Sequence, residues 1–83
     1  MKNTWEKVFE YASMPVHGTL SRKLRKGVSL QINNGEPYTE AVIFLGEEFV
    51  RITAEEKTGN TNTYYDWTGI TSITTHSSKG EKE

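Results

Sequence analysis

Ala41-Val42-Ile43-Phe44-Leu45 is the stretch of this sequence that decides the fold. Five apolar residues in succession, with strand-like segments on both sides, predict a strand that is covered on both faces at the middle of a small sheet. The rest of the chain is expected to pack around this strand. The organised region around it runs from Val28 to Ile73.

Alternation and turn residues predict four further strands. Residues 28–32 alternate between apolar and polar side chains, which is typical of a half-buried strand. Asn34-Gly35 then supplies positive-φ residues for a tight hairpin turn, and the central strand is predicted over residues 38–45. The other predicted strands are 49–53, 61–67 and 70–75, separated by turns at Gly46-Glu47-Glu48, Gly59-Asn60 and Thr68-Gly69.

A short amphipathic helix is predicted over residues 4–13. Asn3 is a good N-cap, with Glu6 three positions later as a capping box requires, and Pro15 ends the helix. A helix of about ten residues is not stable alone, so its apolar face is expected to pack on the sheet. That face has the i, i+3, i+4, i+7 spacing and consists of Trp5, Val8, Phe9 and Ala12.

Length and composition indicate one small domain. Eighty-three residues with 34% hydrophobic content support a single core, predicted over residues 1–76, and the polar segment 77–83 is expected to be a disordered tail. The chain has no cysteine and no metal-ligand pattern, so self-association is one way to gain buried area. No apolar run approaches the roughly 18 to 20 residues of a membrane span, and there is no signal-peptide core. We therefore expect a cytoplasmic protein without a membrane partner.

Charge is divided unequally along the chain. Residues 1–27 carry six basic and two acidic side chains, a net charge of +4, whereas residues 28–83 carry four basic and nine acidic ones, a net charge of −5. The basic charge is concentrated in segment 21–27, which could form one or two helical turns or an irregular arm. Such a cluster commonly forms a solvated face, but it could also neutralise the phosphates of a nucleic acid. Its basic residues are Arg22, Lys23, Arg25 and Lys26.

A helix followed by five short strands predicts a mainly β fold, a strongly bent small barrel with an N-terminal helix. Over residues 4–75 the chain resembles the Sm-like, Hfq-type proteins, although Src-homology-3-like barrels share nearly the same order of strands. The features that carry the resemblance are the strand ending at Asn34-Gly35, a longer strand with Val42, the turn 46–48 into 49–52, and residues 65–73. The resemblance implies a ring-like homo-oligomer in which the fourth strand of one subunit pairs with the fifth strand of the next. Ile70 and Ile73 are the residues expected at that edge.

The chain departs from the Sm-like pattern at two places. Family members usually have a glycine in the second strand that allows strong bending, and the nearest position here is Glu40. Hfq-type members carry a Lys-His pair before the last strand that contacts RNA, whereas this chain has Asp66-Trp67. The resemblance therefore does not imply the same mode of uridine binding.

No catalytic or metal-binding pattern is present in the sequence. His17 and His76 lie in a connector and near the tail without a patterned Ser or Asp partner. The acidic pairs 47–48 and 55–56 fall in predicted hairpin loops, where adjacent carboxylates point in different directions. We therefore predict a non-enzymatic protein that needs no cofactor.

Binding is better supported than catalysis, because aromatic residues cluster in one predicted strand. Tyr65 and Trp67 share one face of that strand and Tyr64 takes the other. One of these sets could stack on nucleobases or receive a proline-rich peptide, or Tyr65 and Trp67 could fill the core. The function we predict is a self-associating assembly module that engages a protein partner. The alternative is an Sm-like protein that binds RNA through segment 22–26 and the strand aromatics.

Overall fold

An N-terminal helix and eight short strands make up residues 2–78, the part of the chain that the computed structural model describes. The helix α1 spans Lys2–Ala12, and a short 3-10 helix spans Trp67–Gly69. The strands are β1 (Ser13–Pro15), β2 (Ser21–Leu24), β3 (Val28–Ile32), β4 (Tyr38–Thr39), β5 (Val42–Leu45), β6 (Phe49–Glu56), β7 (Gly59–Asp66) and β8 (Ile73–Ser77).

The strands form two antiparallel sheets, in the orders β1-β2-β5-β6-β7 and β4-β3-β8. In the smaller sheet β3 pairs with the distant β8, from Val28 opposite Ser77 to Ile32 opposite Ile73. The prediction of a mainly β fold with an N-terminal helix is confirmed. Within residues 2–78 there are eight strands where five were predicted, and neither sheet closes into a barrel.

The predicted strand 38–45 is divided at Glu40, which has a φ of 53°. Before it, Thr39 of β4 pairs with Ser29 of β3; after it, β5 pairs with β2 and β6. A positive φ at a residue with a side chain turns an extended chain sharply. The chain therefore passes from one sheet to the other at this residue, so the prediction of one continuous strand was wrong.

Only the inner face of β5 is buried. Ile43 points inward and is fully buried, whereas Val42 and Phe44 point outward and are half-buried. The prediction that layers cover both faces of this strand was therefore wrong. Within residues 2–78, the outer face of the five-stranded sheet is open to solvent.

The basic segment contains a strand, and the prediction of helical turns or an irregular arm was wrong. Ser21–Leu24 forms β2, which pairs with β1 on one side and with β5 on the other. After β2 the chain turns through Gly27, which has a φ of 80°, and the Val28 N–H donates to the Arg25 carbonyl at 3.1 Å. Because β2 lies between β1 and β5, alternation along it decides which of its cations face solvent.

Two turns lie close to their predicted positions but not at the predicted residues. Asn33 and Asn34 have φ values of 54° and 68°, and the Gly35 N–H closes the turn on the Ile32 carbonyl at 2.9 Å. The positive-φ pair is thus Asn33-Asn34 where Asn34-Gly35 was predicted. Residues 57–58 join β6 to β7, two residues before the predicted turn, because Glu56 pairs with Gly59.

The apolar face of α1 packs onto the sheet core, as predicted. Phe9 is fully buried and meets the Trp67 ring edge-to-face, with 6.0 Å between ring centroids. The helix is already formed at Lys2, so Asn3 lies inside it and is not its N-cap. The core comprises Phe9, Ala12, Leu24, Val28, Leu30, Ile32, Ala41, Ile43, Val50, Ile52, Trp67 and Ile70.

The C-terminal strand takes in the first residue of the predicted tail. β8 runs through Ser77, and the Ser78 N–H donates to the Gly27 carbonyl at 2.9 Å. The remaining residues of the predicted tail, 79–83, lie outside the described part of the chain.

Candidate functional site

Two of the four candidate nucleic-acid-binding cations hold the end of α1. Arg22 Nε donates to Ser13 Oγ at 2.8 Å, and its Nη2 donates to the Ser13 carbonyl at 3.2 Å and the Glu10 carbonyl at 3.3 Å. Arg25 Nε donates to the Tyr11 carbonyl at 3.0 Å. The last carbonyls of a helix lack intrahelical partners and carry the negative end of its dipole. The two arginines therefore attach the end of the helix to β2 and to the turn that follows it.

Lys23 and Lys26 remain exposed, but on different parts of the surface. Lys23 lies on the outer face of β2, between Met14 and Val42 of the neighbouring strands. Lys26 follows β2 in the turn that leads to β3. Because alternate residues of a strand face opposite ways, β2 sends Arg22 inward and Lys23 outward. The structure therefore does not bring the four cations into one patch.

Tyr64 and Tyr65 face opposite sides of β7 as expected, but Trp67 lies beyond the strand, at the start of the 3-10 helix, and not in it as predicted. Trp67 is 4% exposed, and its indole N–H donates to the Gly46 carbonyl at 3.0 Å. Tyr65 is half-buried, with its hydroxyl 2.7 Å from that of Tyr38. Burial, followed by this contact, raises the pKa of Tyr65. Tyr65 and Trp67 thus belong to the interior, and Tyr64 is the one that is exposed, by 59%.

Tyr64 belongs to a surface patch that was not predicted from the sequence. We call Phe44, Phe49, Arg51 and Tyr64 the aromatic patch. The ring centroids of Phe44 and Phe49 are 6.2 Å apart, and those of Phe49 and Tyr64 are 5.5 Å apart. Arg51 lies between Phe44 and Tyr64 in register, with its guanidinium carbon 5.1 Å from the centroid of the Phe44 ring.

The aromatic patch depends on Gly46 in the turn between β5 and β6. The Gly46 N–H donates to the Phe49 carbonyl at 2.8 Å, which closes the turn. A Cβ at Gly46 would lie 2.8 Å from that carbonyl oxygen and 3.2 Å from the Phe44 ring. Only glycine permits so close an approach. The alternation of residues 49–53, with Val50 and Ile52 as the inward pair, is the sequence signal that places Phe49 and Arg51 outward.

Four strands, β1, β4, β7 and β8, lie at sheet edges within residues 2–78, and β7 and β8 are the longest of them. Just after β7, the Trp67 N–H donates to the Glu48 carbonyl. Because successive N–H groups of a strand point to opposite sides, those of Asn62 and Tyr64 point away from β6. On either side of β8, Ser72 and Ser78 form backbone hydrogen bonds to the chain at the two ends of β3. By the same alternation, the N–H groups of Ile73, Thr75 and Ser77 point away from β3. Both edges present unpaired backbone donors and acceptors.

A groove of about 600 Å³ runs between α1 and the free edge of β8. Ile73 is half-buried and lines it, whereas Ile70, the other predicted edge residue, is 5% exposed and lies in the core. The groove is lined by Val8, Tyr11, Ala12, Arg25, Val28, Ile73, Thr75 and Ser77.

A metal site and a membrane-spanning helix both lack support in the described residues. In residues 2–78 no group of three or more His, Asp or Glu side chains is placed to hold a metal ion. Within the same residues, no helix has both the length and the apolar character needed to cross a membrane. No family model matches the chain, and neither does any curated protein or solved structure. The function is therefore inferred from the geometry of the chain itself.

Proposed function

We propose that this protein is a non-enzymatic assembly module that self-associates by pairing β7 of one copy with β8 of the next. The observation that supports this best is the free edge of β7, which is eight residues long. Soluble proteins usually protect such an edge with lysine, proline, a bulge or a covering segment. Residues 59–66 contain neither lysine nor proline, and within residues 2–78 nothing covers their edge.

Each copy carries both edges, so the proposed contact is heterologous and generates a ring if it closes. Antiparallel pairing of β7 with β8 would join the two sheets across the subunit boundary and complete the strongly bent, Sm-like barrel between copies. The groove beside β8 supplies apolar area for such a contact. The bend at Glu40 is consistent with this architecture, because it lies nearest to the glycine that allows bending in Sm-like proteins.

RNA binding through segment 22–26 has weaker support. Two of its four cations, Arg22 and Arg25, donate to carbonyl groups at the end of α1, which leaves fewer of their N–H groups for phosphates. The two exposed lysines lie on different parts of the surface. A protein that neutralises few phosphates binds nucleic acid weakly at moderate salt.

The test is the mass in solution of the full chain, measured by light scattering together with circular dichroism. We expect the wild-type chain to be a multimer. Asn62→Pro should be a folded monomer, because proline removes a donor that faces the free edge and leaves the bonds to β6 in place. Ile73→Lys should also dissociate the multimer by placing a charge in the groove beside β8.

Asn62→Ala is the matched control for the edge variant. It removes the same side chain but keeps the backbone N–H, so it should remain a multimer. A monomeric wild-type chain would contradict the proposal. So would an Asn62→Pro variant with the mass of the wild type.

A further inference from the structure

We infer that the aromatic patch docks a segment of another protein that presents a carboxylate beside an apolar side chain. This goes beyond self-association, because the patch lies on the outer face of the sheet and the proposed assembly uses the strand edges. Phe49 is 37% exposed and Tyr64 is 59% exposed. Within residues 2–78, no helix or strand covers them.

The composition of the aromatic patch is that of the centre of a protein interface. Aromatic residues and arginine are enriched at such centres, whereas lysine and acidic residues are depleted. Phe49 meets the Tyr64 ring in an edge contact and is itself in tilted contact with Phe44, so the exposed Tyr64 ring is held in place before binding. A surface that is already ordered loses less entropy when a partner docks.

Arg51 defines what the partner must supply. Its Nε is buried without a hydrogen-bond partner, and within residues 2–78 it forms no ion pair. Asp66 lies across from Phe49 on the next strand, but its carboxylate accepts from the Thr68 N–H and hydroxyl at 2.9 and 2.7 Å. A guanidinium stacked on a ring and lacking an acid is suited to receive a carboxylate.

The surrounding charge favours one carboxylate over a polyanion. By strand register, the outer face carries Lys23 and Arg51 against Glu55 and Asp66, so it is neutral as a whole. Binding to nucleic acid depends on several cations acting together on phosphates. A second copy is also disfavoured, because a two-fold contact centred on this patch would bring two Arg51 guanidinium groups together.

The experiment is a selection of random displayed peptides on the immobilised full chain, followed by titration of the selected synthetic peptides into isotopically labelled protein. We expect enrichment of Asp or Glu next to Leu, Phe or Trp, with NMR shifts centred on the aromatic patch. Arg51→Gln and Tyr64→Ser should each weaken binding about tenfold or more, as for central interface residues. Replacing the peptide carboxylate by its amide should weaken binding similarly, with little added loss in Arg51→Gln.

Leu20→Ser is the control, because Leu20 is an exposed apolar residue just before β2 that belongs to neither the aromatic patch nor the groove, and it should leave peptide affinity unchanged. The inference is overturned if no peptide is enriched, if the enriched peptides lack an acid, or if Arg51→Gln binds them equally well. It is also overturned if a 12-nucleotide oligouridine shifts the patch resonances in place of the peptides. A lower mass for Tyr64→Ser would assign the patch to a second copy and overturn it too. Peptide binding with a monomeric wild-type chain would leave the inference standing and refute only the edge assembly.

Discussion

Asn33 joins the first hairpin turn to the segment before β8. Its Nδ2 donates to the Gly69 carbonyl at 2.8 Å, and its Oδ1 accepts from the N–H groups of Thr71 at 2.7 Å and Ser72 at 3.1 Å. Asn34 also has a positive φ, but no hydrogen bond from its side chain is seen within residues 2–78. The two neighbouring asparagines therefore share a backbone conformation and differ in what their side chains hold.

Substitution by glycine separates the contribution of the side-chain hydrogen bonds from that of the backbone conformation, because glycine accepts a positive φ without strain. We expect Asn33→Gly to lower the free energy of unfolding by about 2 to 3 kcal/mol, since several hydrogen bonds are lost. Asn34→Gly should change it by about 0.5 kcal/mol or less, as at an ordinary surface position. Urea unfolding of both variants provides the measurement, and equal losses would show that the side-chain bonds of Asn33 contribute little.

This turn also shows how far a local sequence signal reaches. Asn34-Gly35 located the hairpin correctly, because asparagine and glycine both accept a positive φ. It did not fix the residues of the turn, since Asn33 is selected by partners in residues 69–72 that are remote in sequence. Arg51 was missed for a related reason: its ring partner Phe44 lies on the neighbouring strand.

Among the elements, the break between β4 and β5 is the least expected from the sequence. Residues 38–45 were predicted as one strand because the apolar run 41–45 continues directly from residues 38–40, and Glu40 carries no local sign of a positive φ. The exposed position of Glu40 allows a polar residue there. β2 was missed because its charges suggested a solvated segment, whereas Arg22 and Arg25 are directed at the carbonyls of α1.

Glu40→Gly should stabilise the protein by about 1 kcal/mol, because a residue with a side chain is strained in the left-handed region and glycine is not. Glu40→Val should lower the free energy of unfolding by about 1 kcal/mol or more, since a β-branched side chain tolerates that region poorly. Thermal and urea unfolding test both expectations.

Thr39→Gly, one residue earlier in β4, is the control for Glu40→Gly. It should destabilise by about 0.5 to 1 kcal/mol, as glycine usually does within a strand. A loss of stability in Glu40→Gly similar to that in Thr39→Gly would mean that the bend at Glu40 stores no strain.

On the scale of the whole molecule, the hydroxyl contact between Tyr38 and Tyr65 links the two sheets. Tyr38 lies in β4 of the smaller sheet and Tyr65 in β7 of the larger one. Burial and this contact raise the pKa of Tyr65 above that of a free tyrosine. The folded protein therefore holds the Tyr65 proton at a pH where the unfolded chain has released it.

A raised pKa in the folded state means that the stability it contributes is present below the unfolded pKa and is lost as pH rises above it. We expect the free energy of unfolding to begin to fall at about pH 10, the ordinary tyrosine pKa, and to fall more steeply as the pH rises further. Tyr65→Phe should show a shallower fall above this pH, measured by urea unfolding at each pH. Tyr64→Phe is the control and should follow the wild type; equal slopes in all three proteins would contradict the prediction.

For the molecule as a whole, the sequence predicts the packed helix face and the buried residues well, but it predicts the division into two sheets and the open outer face poorly. The helix face around Phe9, the strand over residues 28–32 and the burial of Trp67 follow from periodicity and side-chain size, which are local properties. The division into two sheets does not follow, because it depends on where the chain crosses between them, which happens after β2, at Glu40 and after β7. The open outer face, with its aromatic patch, is equally hidden, because an apolar run looks the same whether one or both of its faces are covered.

The pairing of β3 with β8 affects how the protein is made. Val28 and its partner Ser77 are 49 residues apart in the chain. Translation at about 5 to 20 residues per second places roughly 2 to 10 s between their syntheses. During that interval Leu30 and Ile32 lie on a segment whose partner strand, β8, has not yet been synthesised. Folding of the smaller sheet is therefore expected only after residues 73–77 have been synthesised.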